Sequence, residues 1–477
     1  MPDINVISRA QSTPEDVVDW DGPNDPMNPM NWSLRKKVAA TTTVSLLTVL
    51  TPLGSSMVAP AASQIMEEFH QPGNEELSAF VVSVYLLGYA LGPLVLAPLS
   101  ELHGRMIIYH VCNALYLICT VACALAPSLG SLIIFRLLAG TAGSAPLTIG
   151  AGSLADMIPA ENRGLAMSAW VLGPVLGPVV GPVAGGYLAQ AKGWRWTFWV
   201  LAMAAAVFTM ITLGCLRESH PPTLLQRKTQ KLRQETGNPS LRSARDAGRP
   251  AGSIFSSSIL RPTRMLLFSP IVSLLALYIA VIYGYLYLLF TTISSVFKDI
   301  YHFSAGSVGL AYLGVGVGSI AGMVFQSLVS DRLFRRLKAR HGIAKPEYRL
   351  PPLFLSCWFI PVSLFWYGWT ANGAVHWISP IVATSLLGFG MLNAFTTVST
   401  YLVDAYTGYA ASAVAATTVL RSLGGAFLPL AGGPMYSTLG LGWGNSLLAF
   451  IALSLCPLPF LLYRFGERIR EKTSVHL

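Results

Sequence analysis

Residues 97–105 read Ala97-Pro98-Leu99-Ser100-Glu101-Leu102-His103-Gly104-Arg105, and residues 327–335 read Ser327-Leu328-Val329-Ser330-Asp331-Arg332-Leu333-Phe334-Arg335. At an offset of 230 positions the two align acid on acid and Arg105 on Arg335, and each follows a long apolar run. A second pair, Leu154-Ala155-Asp156 and Leu402-Val403-Asp404, stands later in each half. The chain therefore reads as an internal duplication, with charged punctuation at equivalent places between hydrophobic segments.

Those segments dominate the composition. Of 477 residues, 53% are hydrophobic and only 11% charged, and mean hydropathy is +0.54. A soluble chain of this length would divide into roughly three domains, but a hydrocarbon core needs about 20 apolar residues per helix. Twelve such stretches fill most of the sequence. We read spans near 38–60, 77–99, 107–126, 129–152, 165–190, 195–216, 269–296, 306–329, 351–371, 377–402, 407–435 and 441–463. The expected fold is an all-α polytopic membrane protein of twelve transmembrane helices in two six-helix repeats. The expected organisation is a tail at 1–37, a first bundle at 38–216, a basic linker at 217–268, a second bundle at 269–463 and a tail at 464–477.

Charge sets the expected orientation. With the N-terminus in the cytoplasm, 27 of the 32 basic residues fall on the cytoplasmic side, and only Lys192, Arg195 and Lys298 fall outside. The positive-inside rule thus predicts both termini cytoplasmic. Segment 217–264 alone holds ten basic residues against Glu218, Glu235 and Asp246. Leu224 to Lys228 suggests an amphipathic helix on the inner leaflet, or else a solvated linker, and Gly237 to Ser258 reads as disordered. Loop 331–350 carries a second basic cluster. A net charge of +10 confined to such segments points to anionic lipid headgroups rather than nucleic acid. Cys112, Cys119 and Cys123 share a helix face, which we read as packing rather than metal ligation. The Asn31-Trp32-Ser33 sequon is expected to stay unmodified on the cytoplasmic side. No phosphate loop, zinc-protease helix or nucleophile elbow is present, so no catalytic residues, cofactor or metal are expected.

Two buried motifs stand out. Arg136-Leu-Leu-Ala-Gly140-Thr-Ala-Gly143 puts a guanidinium inside the fourth span, which costs at least about 2.5 kcal/mol unless it finds partners. Arg421 poses the same problem in the eleventh span. Gly177-Pro-Val-Val-Gly181-Pro182-Val-Ala-Gly185-Gly186 spaces glycines by four residues in the fifth span, which allows close helix approach, with a bend at Pro182. None of the 22 acidic residues lies near the middle of a span.

With these motifs the sequence resembles the major facilitator superfamily, and within it the fungal twelve-span drug:proton antiporters. The tail from Trp20 to Ser33 is specific to the fungal group. The resemblance implies that Glu101 and Arg105 belong to a latch between spans two and three, although Ala97, Leu102 and Met106 depart from its pattern. It implies that Arg136 takes part in proton transfer, and that residues 177–186 form the antiporter motif, with Ser168 where a further Gly is expected. Asp156, Asp331, Asp404 and Arg421 join this set as candidates for proton coupling or gating, with His110 as a further candidate. Spans one, four, seven and ten line the cavity in this fold, which directs attention to Thr51, Ser55, Ser144, Tyr278, Tyr283, Tyr287, Asn393 and Thr397.

The function expected from the resemblance is secondary-active export of a small organic compound, such as a fungal metabolite, toxin or drug, in exchange for protons. The expected setting is a monomer in the plasma membrane, with the vacuolar membrane as the alternative. A facilitator or importer of polyamines or organic acids stays open, as does, more remotely, a non-transporting sensor.

Overall fold

The computed structural model describes residues 17–159, 163–244, 251–342, 345–406 and 410–472. Among them, ten helical stretches are long and apolar enough to cross a membrane. Two more complete the twelve. Arg163–Lys192 is described in part, and the 60-residue stretch Ser412–Glu471 divides at Gly440. There φ is +71° inside the otherwise helical Gly432–Leu455, a conformation that glycine adopts without a Cβ penalty. The chain reverses at this point. Gly432 packs beside Leu288 and Thr292, after which Trp443 meets Trp369, Phe450 meets Phe365 and Phe460 stacks on Phe354, walking back along the ninth helix.

The spanning helices are α1 (Leu34–Ser56), α2 (Glu75–His103), α3 (Arg105–Ala124), α4 (Leu129–Gly143 and Ala145–Met157), α5 (Arg163–Lys192) and α6 (Arg195–Cys215) in the first half. The second half holds α7 (Pro270–Asp299), α8 (Ala305–Ala311 and Leu313–His341), α9 (Pro351–Asn372), α10 (Ile378–Ala405), α11 (Ala410–Phe427, continuing through 439) and α12 (441–455, followed by Leu458–Lys472). Several run past the apolar boundaries read from the sequence. The first continues through Ala59–Ala61 and Ala62–Glu68. α8 stays helical to His341, so half of the segment expected to be the loop 331–350 is helix.

Packing repeats with the sequence. In the first half α1 packs on α5, α2 on α4, and α3 on α4 and α6; in the second α7 packs on α11, α8 on α10, and α9 on α10 and α12. Hydrocarbon gives apolar helices no reason to associate, so close backbone approach supplies the attraction. Gly88 lies on the backbone of Leu137 to Thr141, and Gly318 on that of Ser385. These glycines stand 230 positions apart, the offset of the charged motif. The halves meet where α2 packs on α11 and α5 on α8. Both described chain ends and the linker lie on one side, hereafter the basic side. The named contacts between halves cluster toward the other, far side: Gly309 against Pro182 and Val183, Gly306 against Tyr187, Gly433 against Glu75.

The linker departs from expectation. Pro221–Thr236 is a helix, yet it is held by protein, with Leu225 and Thr229 buried. Its Lys228 donates to Asp21 Oδ1 at 2.6 Å and to the Asp19 carbonyl at 2.9 Å, and lies 3.6 Å from Asp25. The partners come from the N-terminal segment. Val17–Val18 pairs in parallel with Arg242–Ser243, and Asn31 Nδ2 donates to the carbonyls of Pro23 and Asp25. The amide of Asp21 is the main influence holding the Asp25 carboxyl below its usual pKa; burial opposes it, and the Met27 amide and Lys228 add to it. Leu225 is thus buried where the helix meets α2, Val17–Val18 and Arg242–Ser243, and the tail supplies the carboxylates that Lys228 needs. Segment 237–258, expected to be disordered, contains the strand Arg242–Ser243 and the first turns of helix Ala251–Phe268; residues 245–250 lie outside the described residues.

Two outcomes follow from this packing. A Cβ on Gly177 would stand 2.6 Å from Pro52 Cβ and 2.7 Å from the Leu53 nitrogen, so Gly177→Val costs about 1–3 kcal/mol by overpacking and lowers the thermal midpoint of the purified protein. Arg349 bridges Asp331 at 2.7 Å and Asp404 at 2.9 Å. Arg349→Ala is expected to lower that midpoint clearly, the cost being about 1–3 kcal/mol. Arg335→Ala, at an exposed position, stays within about 0.5 kcal/mol.

Candidate functional site

The centre of the molecule is organised around Arg136. Its side chain, 1% exposed, leaves α4 and donates through Nε to the Val81 carbonyl at 2.6 Å. Through Nη2 it donates to the carbonyls of Val82 at 3.1 Å and Ser55 at 3.2 Å. Its Cζ also stands 5.5 Å from the Tyr85 ring centroid and 5.8 Å from that of Phe198. No carboxylate pairs with it among the described residues. A void of about 10 Å³ beside it, bordered by Tyr85, Tyr116, Cys123 and Phe198, approaches the space of a single water. The guanidinium thus binds α1, α2 and α4 together through backbone carbonyls.

Beside it the two halves touch. Ser55 of α1 and Tyr287 of α7 share a 3.0 Å hydrogen bond, and Ser83 of α2 donates to the Ala426 carbonyl of α11 at 2.8 Å. Toward the basic side lie Thr51, Tyr89 and Tyr283, with the Thr51 and Tyr89 hydroxyls buried and lacking hydrogen-bond partners. Tyr89 is close to Thr51 and Tyr283, and the Tyr283 and Tyr287 rings are 5.1 Å apart. Arg421 enters this layer from α11, its Cζ 4.8 Å from the centroids of both Tyr283 and Phe395.

Of the cavity residues expected from the sequence, the structure brings Thr51, Ser55, Tyr283 and Tyr287 to this layer. Ser144, Tyr278 and Asn393 lie elsewhere. Tyr278 sits beside Cys357 and Cys456, toward α9 and α12. Ser144 occupies the break between the two pieces of α4, donates to the Thr141 carbonyl at 2.8 Å and packs on Gly92. Asn393 turns to α8, where its Nδ2 lies 3.4 Å from the Gly322 carbonyl. Thr397 is fully buried and its hydroxyl has no partner. His110, whose Nδ1 is buried and unpartnered, lies on α3. The side chain of residue 168 is outside the described ones.

The glycines of α5 pack against α1 of their own half. Gly177 meets Pro52 and Leu53, Gly181 meets Ser56, and Gly185 meets Met57, while Ser56 donates to the Gly177 carbonyl at 3.2 Å. Gly186 is buried. Gly173, against Thr48, extends the ladder one turn beyond the motif; its spacing of four was already present in the sequence. Pro182 presents its carbonyl to Gly309 of the other half. One helix therefore carries both an internal seam and an inter-half seam.

At the basic ends the carboxylates are paired within each half. Arg105 Nε meets Asp156 at 3.3 Å and its Nη1 meets Ser100 Oγ at 2.6 Å. In the second half Arg349, rather than the aligned Arg335, meets Asp404 and Asp331, because α8 extends past Arg335 and delivers the chain to α9 fourteen residues later. Burial disfavours the Arg349 charge, but the hydrogen bonds it donates to both carboxylates outweigh this and raise its pKa. Glu101, expected to sit in the latch, is exposed and forms no ion pair among the described residues. Glu218 takes the helix end instead. Only 5% exposed, it accepts the Arg105 and Met106 amides at 2.9 and 3.2 Å and the His220 amide at 2.9 Å. A carboxylate there satisfies the first turn of α3 and complements its dipole. Gly104, φ +94°, makes the turn that exposes those amides.

Known proteins resemble this chain in sequence and fold. Residues 44–429 match the Major Facilitator Superfamily. The chain is 63% identical over 454 residues to the MFS-type transporter penM of Penicillium rubens, covering 95% of this chain and 89% of that one. It is 51% identical to the efflux pump radE of Floropilus chiversii, covering 97% and 86%. Among solved structures the D-xylose-proton symporter superimposes with a TM-score of 0.66 at 16% identity, covering 87% of this chain and 97% of that one. A bacterial homolog of the human lysosomal transporter Spinster does so with a TM-score of 0.65 at 16% identity, covering 93% and 99%. The two likenesses to solved structures speak to the fold alone. Together with the duplicated packing of α1–α6 and α7–α12, the match over residues 44–429 means that this chain is a polytopic membrane transporter and belongs to the Major Facilitator Superfamily.

Proposed function

We propose that this transporter exports a small organic compound by alternating access, in exchange for protons, with both termini in the cytoplasm of a fungal cell and the plasma membrane as its site. The observation that carries the reading is the double seam of α5: a glycine ladder fixes it to α1, while its opposite face, at Pro182 and Val183, abuts Gly309 of the other half. A helix so placed moves with the first half and slides on the second, as rocking requires. The far-side contacts hold the halves together there. At the basic ends every ion pair among the described residues closes within one half, within the linker or between tail and linker, which favours opening on that side. A relative named as an efflux pump, 51% identical, supports the outward direction. With no carboxylate in mid-span, Asp156 and Asp404, each held by an arginine of its own half, are the proposed proton carriers. Asn31 already uses its Nδ2 inside the folded tail, which agrees with a cytoplasmic, unglycosylated sequon.

Deleting the gene is expected to leave at least one small organic compound retained in the cells and depleted from the medium, as read by mass spectrometry of both fractions. Purified protein in vesicles should then move that compound against its gradient only while a pH gradient is imposed. Unchanged secretion, or flux indifferent to the pH gradient, would sink respectively the export and the coupling. Arg136→Gln loses the charge and most of the three carbonyl bonds, each worth about 1.5–3 kcal/mol when charge-assisted. Transport by this variant should fall at least about tenfold at equal protein level.

A further inference from the structure

The two intramembrane guanidiniums are held in different ways. Arg136 is saturated by backbone carbonyls, whereas Arg421 is half-buried. Its contacts among the described residues are the aromatic faces of Tyr283 and Phe395, each centroid 4.8 Å from Cζ, and its Nε is buried with no hydrogen-bond partner. The adjacent Ser422 hydroxyl is buried and equally unpartnered. No acidic residue lies in the middle of any span, so this layer carries positive charge with nothing opposite it. A guanidinium in hydrocarbon normally finds a carboxylate or carbonyls. Here the missing group is left for something that enters from outside.

Resting on the proposed transport function, we propose that Arg421 is the recognition site for an anionic aromatic substrate: a carboxylate or phenolate binds the guanidinium edge while its ring stacks against Tyr283 or Phe395. The planar fork of Arg suits a carboxylate through two parallel bonds, and its faces stay free to stack. The halves bring Tyr89 close to Tyr283, so an occupant of this layer touches both and is released when they rock apart. The same charge argues against polyamines, which would place cations beside an unpaired guanidinium.

The test uses the full-length protein in detergent micelles and a pair of near-isosteric probes, 2-naphthoate and its neutral amide 2-naphthamide, with binding read by equilibrium dialysis. Wild type is expected to bind 2-naphthoate at least about tenfold more tightly than 2-naphthamide, the worth of one charge-assisted hydrogen-bonded contact. Arg421→Gln should abolish that preference while keeping 2-naphthamide affinity within about twofold. Arg421→Lys, which keeps charge but loses the planar fork, should retain the preference at weaker affinity, and it serves if the Gln variant does not fold. Equal binding of the two probes by wild type, failure of wild type to bind 2-naphthoate, or a preference surviving in Arg421→Gln would each overturn the assignment. Because micelles have no sidedness, this result is independent of flux direction: loss of the anion preference leaves export standing, and unchanged secretion in the deletion strain leaves the anion site standing.

Discussion

Hydrocarbon offers neither a hydrogen bond nor a counter-charge, and a guanidinium does not give up its proton to escape the problem. Arg136 meets this constraint by drawing three backbone carbonyls from two neighbouring helices, and in doing so it fixes where α1, α2 and α4 stand. Ser55, whose carbonyl serves Arg136, also bonds Tyr287 of the other half through its hydroxyl. A single residue of α1 thus joins the buried charge to the plane along which the halves separate. Glycine does for packing what the carbonyls do for charge, since attraction between apolar helices in lipid rests on close contact rather than on expulsion of water.

The duplication is faithful in packing and unequal in chemistry. Helix pairs repeat one for one, and Gly88 and Gly318 occupy equivalent crossings. At the basic ends the first half uses one arginine and one aspartate plus a glutamate delivered by the linker. The second uses one arginine between two aspartates, reinforced where the C-terminal helix returns Arg470 to Glu347 at 3.4 Å and Glu467 to Lys345 at 2.6 Å. The ends of the two halves are therefore tied by different numbers of charges, so identical disturbances on the basic side act on them unequally.

What the sequence made legible follows from which signals are local. Spans show as runs of apolar residues, the repeat as a fixed offset, and the α5 ladder as a spacing of four. The face that each helix presents is harder to read, because lipid and protein interior are equally apolar and period 3.6 has no polar side to mark. Tyr278 and Tyr283 differ by five residues on α7 and point to different partners for that reason. Glu218 was unreadable in its role, since a cap 113 positions from the helix it serves leaves no pattern. Alignment sets Arg335 opposite Arg105, whereas in space Arg349 takes that place, because alignment counts residues while the three-dimensional repeat counts helix ends, and α8 is longer than its counterpart. The tail was read as a family mark, and its acids found a meaning only beside Lys228.

That tail carries a consequence for how the protein is made. Asp19 and Asp21 are synthesised first, yet their partner Lys228 lies more than 200 residues downstream, and Val17 pairs with a residue translated later still. The segment 17–32 cannot close onto the linker until six helices and the residues through Ser243 have been made. A finished clasp thus requires the whole first half to have been translated and nothing of the second.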